Sequence, residues 1–212
     1  MTQLPDPPSR QDRQQQTRDA LIVAARDVFS NDGYHAASLD RIARVAGYSK
    51  GAVYSNFAGK SDLFLAVMDV NLQESIAERR NPFEELTQPT STDRDPADRE
   101  GYPTDAVKGF ALATLEFIAT AARDETLAPQ LHQRLDAGLE YYKELAKTSR
   151  AEGEPLSSSD LGTLLLTLDQ GAGLVLLAGG VLPDRSVFNT GMRRLLDPAR
   201  AVAEERARGL SE

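Results

Sequence analysis

An all-α fold is the architecture this sequence predicts, and three observations carry the prediction. Apolar residues recur at the 3.6-residue helical period in one segment after another. Alternating runs of the strand type, and hairpin dipeptides between apolar runs, are missing. Glycine or proline stands where most of the apolar segments end. The segments group into an N-terminal trio of helices, a long fourth helix and a C-terminal helical domain, about nine helices in all. With 212 residues, 41% hydrophobic and 26% charged, the chain has a globular composition and enough length for one large domain or two small ones.

The first helix is expected from about Thr17, after a polar, Pro-rich arm at 1–16. Leu21, Ile22, Ala25, Val28 and Phe29 give it an apolar face, and Gly33 ends it. Ser38 offers an N-cap to a second helix, whose stripe is Leu39, Ile42, Ala43 and Ala46. Gly47 ends this helix after barely two turns. Ser49 then caps a third, held inward by Val53 and Phe57 and ended by Gly59. A long helix follows from about Ser61, with Phe64, Met68, Leu72 and Ile76 laddered four apart.

Residues 79–104 hold four prolines and many turn formers, and read as the boundary between head and body, partly disordered or hiding one short helix. Beyond them, Val107, Phe110, Leu115, Phe117 and Ile118 mark one body helix. Leu127, Leu131, Leu135, Leu139, Tyr142 and Ala146 mark a longer one, ended by Gly153 and Pro155. The serines before Asp160 cap an apolar helix that Pro183 stops. Phe188, Met192 and Leu195 mark the last helix, and a charged tail begins at 199.

Two short helices joined at Gly47-Tyr48 and braced by a first helix make a helix-turn-helix. In that motif the second helix enters the DNA major groove. The residue types suit it. Gly47 and Gly51 keep bulk away from an approaching backbone. Ser38 and Ser49 sit at helix starts, where amide N–H groups favour phosphate. Lys50 is placed for a guanine edge or a phosphate, and Ala52 for a thymine methyl. Tyr54, Ser55 and Asn56 offer donors, and Lys60 stands ready for a flanking phosphate. The plainer readings are a core aromatic for Phe57, which is preferred, and for Tyr54, where a phosphate contact is preferred.

The stretch "SLDRIARVAGYSKGAVYSNFAGKSDLFLAVM", with "AARDVFSNDGYHAASLDRIA" overlapping its start, closely resembles the signature of the TetR family of bacterial transcription regulators. The resemblance covers about residues 17–70. It implies an all-α protein with a DNA-binding head at 17–60 and a ligand-binding, dimerising body at 61–198, often paired through its last two long helices. Tyr48 is bulkier than the family's usual small residue and is expected to add a DNA contact of its own.

For the body the expectations are broader. The run 161–182 is as long as a membrane span, but Asp169 and Gln170 interrupt it, and it reads as a buried helix at a subunit interface. The candidate dimer face is Leu161, Leu165, Leu168, Ala172, Val175 and Leu176, joined by Phe188, Met192 and Leu195 on the last helix. Phe110 and Phe117, two turns apart, and Tyr142 line either an apolar pocket or ordinary core. His132 is a further pocket candidate, although an exposed or satisfied histidine is the plainer reading. Asp169 and Gln170 need partners, which a ligand, a cross-dimer hydrogen bond or solvent could supply.

Charge divides the chain. Residues 1–60 hold eight Lys+Arg against six Asp+Glu, a net +2, and the remainder carries −10. A mildly basic head on an acidic body argues against non-specific DNA coating and is compatible with DNA binding by the head. Cysteine is absent, which excludes disulfides and thiolate chemistry and suits a reducing compartment. No metal site or cofactor is expected, because there is no metal-ligand cluster, nucleophile motif or Gly-rich phosphate loop. The N-terminal stretch lacks a signal-peptide core. The sequence thus predicts a cytoplasmic, homodimeric repressor on a near-palindromic operator, released by a small molecule. An activator, or a regulator answering to a protein partner, is the alternative. An enzyme using the head for docking and a purely protein-binding helical dimer are the readings from other classes.

Overall fold

The computed structural model describes residues 9–78, 105–179, 185–200 and 203. All regular structure among them is helical: α1 (Arg10–Ala36), α2 (Leu39–Val45), α3 (Lys50–Asn56), α4 (Lys60–Glu78), α5 (Asp105–Ala121), α6 (Ala128–Ser149), α7 (Ser158–Leu177) and α8 (Arg185–Leu196). The break at 79–104, Pro183 and nearly all of the charged tail lie outside the described residues.

α1 begins seven residues before the expected Thr17. Ser9 and Asp12 form a reciprocal capping box, with Asp12 N donating to Ser9 Oγ at 3.1 Å and Ser9 N donating to Asp12 Oδ2 at 2.8 Å. The bonds from Ser9 also hold the Asp12 carboxyl below its usual pKa. Arg10–Gln16 carry no apolar stripe, so periodicity does not announce this turn; local capping makes it.

The described helices fall into two compact units. The first holds α1, α2, α3, α4 as far as Gln73, and α5 with the chain to Leu131. It therefore reaches beyond the head expected to close at Lys60. Leu63, Phe64, Leu65 and Val67 of α4 and Ala113, Phe117 and Ala121 of α5 are buried in one cluster with Leu21, Phe29, Ile42, Val53 and Phe57. Rings knit its centre: Phe64 lies 4.8 Å from Phe29, 5.1 Å from Tyr34, 5.3 Å from Phe110 and 4.7 Å from Phe117, centroid to centroid. α5 crosses α1 at Gly109, where a Cβ would stand 2.0 Å from Ser30 O. Gly33, at φ 79°, bends the end of α1 in the left-handed region. Just beyond it, His35 N donates to Glu116 Oε2 of α5 at 3.0 Å.

The second unit holds α6 from His132, α7 and α8. Its core is Tyr142, Leu145 and Ala146 of α6, Leu161 and Leu165 of α7, and Met192 and Leu196 of α8. Gly162 lets α7 meet α6 closely, since a Cβ there would lie 2.7 Å from Lys143 N. Ser157 caps α7, accepting from Asp160 N at 3.1 Å. Arg150 fixes the preceding loop by donating to Leu156 O and Glu154 O. No described helix is long and apolar enough to cross a membrane.

Candidate nucleic-acid interface

The surface is built on one glycine turn. α2 is capped by Ser38, whose hydroxyl accepts from Arg41 N at 3.3 Å. It stops at Gly47, φ 74°. Gly47 N donates to Arg44 O at 3.2 Å and Tyr48 N to Ala43 O at 2.9 Å, the paired bonds of a Schellman motif. A Cβ on Gly47 would meet nothing within 4 Å, so the dihedral angle alone calls for glycine. Ser49 then caps α3, accepting from Ala52 N at 3.2 Å.

α3 is held from beneath. Val53 and Phe57 are buried. Arg18 of α1 lies over the Phe57 ring, 4.2 Å from its centroid, and donates to Asn56 O at 2.7 Å, so α1 fixes the end of α3. Sequence reasoning missed Arg18, because its partners stand 38 residues away. With this packing, Lys50, Gly51, Tyr54 and Ser55 face outward and Ala52 is half-buried. Tyr48 and Tyr54 remain 39% and 54% exposed, large values for aromatic side chains with a hydroxyl to offer.

The polar groups differ in how free they are. Ser55 Oγ donates to Ala52 O at 2.9 Å, and Asn56 Nδ2 donates to the same carbonyl at 2.8 Å. Both side chains thus fold back on their own helix. Lys50 Nζ meets Asp40 Oδ2 of α2 at 2.9 Å, both groups about half exposed. That hydrogen bond and the charge of Asp40 raise the lysine's pKa. Arg41 Nε is paired with Asp32 Oδ2 of α1 at 2.9 Å. Asp40 and Arg41 were not among the expected interface residues.

Lys60 has a different setting from the one expected. Its ammonium donates to Tyr34 O, His35 O and Ala37 O at 2.9, 3.0 and 3.1 Å, and lies 4.8 Å from the Tyr34 ring centroid. All three donors serve the end of α1. Burial lowers its pKa, against the opposing attraction of Glu116. Tyr34 Oη and Ser61 Oγ share a hydrogen bond at 2.8 Å, so α4 starts tied to α1 twice.

The candidate pocket residues do not share one unit. Phe110 packs on the first unit's core, and Phe117 lies in it, fully buried. Tyr142 lies in the second unit's core with Tyr141 edge-on to it. His132 is exposed and 3.5 Å from Asp136. Gln170 is exposed, and its amide lies 3.4 Å from the half-buried Asp169. No group of three potential metal-ligating side chains occurs among the described residues. Of the candidate dimer face, Leu161, Leu165 and Met192 are buried within the unit, while Phe188, Leu195 and Ala172 are half-buried. Leu168 and Val175 are exposed. The side chain of Leu176 lies outside the described ones.

Comparison with known proteins agrees with this geometry. The model of the "Bacterial regulatory proteins, tetR family" domain matches residues 21–67, from mid-α1 into α4. The HTH-type transcriptional activator FasR of Mycolicibacterium smegmatis is 39% identical over 70 residues, 33% of this chain and 32% of that protein. The HTH-type transcriptional repressor BepR of Brucella suis is 30% identical over 131 residues, 62% of this chain and 54% of that one. The matched stretches thus span about a third to a half of these relatives. A solved Rhodococcus sp. protein described as a TetR-family transcriptional regulator shares the fold at a TM-score of 0.66, with 20% identity over 86% of this chain and 99% of that one. In residues 21–67, therefore, the chain carries the N-terminal domain of the tetR family of bacterial regulatory proteins.

Proposed function

We propose that the protein is a DNA-binding transcriptional regulator acting as a homodimeric repressor, and that a small molecule bound by the second unit releases it. One observation carries the DNA reading: α3 is fixed from beneath by Val53, Phe57 and Arg18, and turns Lys50, Gly51 and Tyr54 outward beside a glycine turn, with Ala52 half-buried between them. A rigid short helix with small, cationic and hydroxyl groups on its free face fits a major groove. A dimer presents two such helices to successive grooves of a near-palindromic operator.

Pairing is supported by α7. Leu164, Leu168 and Val175 lie on one helix face and are 44%, 39% and 43% exposed, with Gly171 between them. An apolar row with a small residue at its centre suits a second copy of the same helix. Support for a ligand-answering second unit is that it lies outside the match at 21–67 and has its own core. A ligand that binds the non-operator conformation better lowers DNA affinity by that difference in binding free energy. Activation in place of repression is favoured by the match to FasR and repression by the longer match to BepR, which reaches past the head. We infer no turnover of the ligand, and a cytoplasmic location.

The test is selection from a randomised duplex pool, followed by mobility shift on the enriched sequence and its scramble. Enrichment of a near-palindrome is expected, with Lys50→Ala and Tyr54→Phe weakening the shift while thermal unfolding stays within a few degrees of wild type. A pool that enriches nothing over several rounds would refute the DNA reading.

A further inference from the structure

We propose that Asp40 is a positioning residue for Lys50, and that this pair sets how well the α3 surface discriminates its operator from other DNA. The inference rests on the DNA-binding reading above and goes beyond it.

Between Ser38 and Lys60 the chain carries four cationic side chains and a single acidic one, Asp40. A carboxylate on a surface that faces phosphate repels it, so Asp40 lowers affinity unless it has another effect. It stands on α2, ten residues before Lys50, and its Oδ2 lies 2.9 Å from Lys50 Nζ on α3. Both side chains are about half exposed, which keeps the pair open to DNA. The same exposure means that the pair contributes little to folding, so its consequence belongs to binding. Arg41 beside it is matched in the same way by Asp32, 2.9 Å away.

The physical effect follows from the lysine's shape. A free lysine is a flexible point charge that neutralises whichever phosphate comes near. Tethered to Asp40, Lys50 is confined at the start of α3, and any phosphate reaching it also meets the carboxylate. Non-specific binding, which is almost wholly electrostatic, is therefore weakened. A base edge that accepts from the tethered ammonium loses less, because it carries no full charge to be repelled. Asp40 trades total affinity for discrimination.

The experiment compares wild type, Asp40→Asn, Lys50→Ala and the double variant on the duplex enriched by wild type and on its scramble, from 50 to 200 mM salt. For Asp40→Asn, one more phosphate is neutralised, so the salt slope on the scramble steepens by about 0.9. That is about three- to four-fold more affinity gained between 200 and 50 mM salt. The enriched-to-scrambled affinity ratio is expected to fall about ten-fold. In the Lys50→Ala background, Asp40→Asn is expected to change the enriched-to-scrambled ratio by less than about two-fold, because the discrimination runs through Lys50. Unchanged thermal unfolding establishes that each variant is folded. An Asp40→Asn discrimination ratio within two-fold of wild type overturns the inference, as does a loss of discrimination of the same size with and without Lys50. If wild type enriches no sequence at all, the DNA reading itself falls and takes this inference with it, a result distinct from either of the others.

Discussion

The two units place their apolar side chains differently. In the first, Phe29, Tyr34, Phe64, Phe110 and Phe117 meet ring to ring, and leucines, valines and alanines from five helices close around them. In the second, Tyr142, Leu145, Leu161, Leu165, Met192 and Leu196 make a smaller core, while Leu164, Leu168, Leu174 and Val175 of α7 stand exposed. The first unit leaves Val23, Val45, Leu112 and Leu115 exposed as well, but spread over α1, α2 and α5. The second gathers four exposed apolar side chains on the single helix α7, which is proposed above to pack on a second copy. This contrast suits the proposed division of labour, in which the first unit holds α3 rigidly and the second pairs with a second copy.

The largest expected effect breaks the first unit. Phe64 touches four other rings and has no exposed surface. Phe64→Ala removes them all and leaves a cavity, at a cost of about 3–5 kcal/mol. Chemical denaturation followed by circular dichroism checks it. Leu165→Ala, in the smaller core, is expected to cost about 2–4 kcal/mol, and its transition should depend on protein concentration if the second unit unfolds with the dimer. Concentration dependence appearing equally in both variants would erase the contrast between the units.

Next in size is the exposed α7 face. Leu168→Glu with Val175→Glu puts two carboxylates where a second copy is proposed to pack. The expected result is a halved mass by light scattering, with the first unit's helicity retained. Operator affinity should fall about a hundred-fold, because two linked heads become two separate ones. A variant that keeps its dimeric mass would move the interface elsewhere.

These two regions were also unequally legible. From Ser38 to Phe64 the signals are local: caps at Ser38 and Ser49, a left-handed glycine at Gly47, and apolar pairs three or four apart. Each depends on neighbours within a few residues, so the sequence shows it. The Ser9–Asp12 capping box is equally local, yet no apolar stripe follows it closely enough to mark a helix start. Lys60 was readable as a cation near the third helix, but its carbonyl partners lie 23 to 26 residues earlier, across the fold. Phe110 and Phe117 were readable as one aromatic face. Whether that face lines a cavity or fills a core depends on Tyr34 and Phe64, which no periodicity reveals. In α7, Leu161, Leu165, Leu168 and Val175 form one continuous stripe in the sequence. Only packing against α6 and α8 divides it into a buried half and an exposed half.

The smallest expected effect concerns the brace between α1 and α4. Lys60→Met keeps most of the aliphatic stem and removes three hydrogen bonds to the carbonyls of Tyr34, His35 and Ala37. Because the group is partly open to solvent, a net loss of about 1–2 kcal/mol is expected at neutral pH. The pH dependence has a definite sign. Burial lowers the folded-state pKa of Lys60 below the ordinary 10.5, so between the two values the unfolded chain binds more protons than the folded one. The cost of burying the charge is fully present below the folded pKa and is relieved as pH rises through it. Wild type should therefore gain stability relative to Lys60→Met toward alkaline pH. Urea unfolding of the two proteins at neutral and mildly alkaline pH measures this gap. A gap that narrows as pH rises would mean that the three carbonyls stabilise the ammonium in the folded head by more than its burial costs.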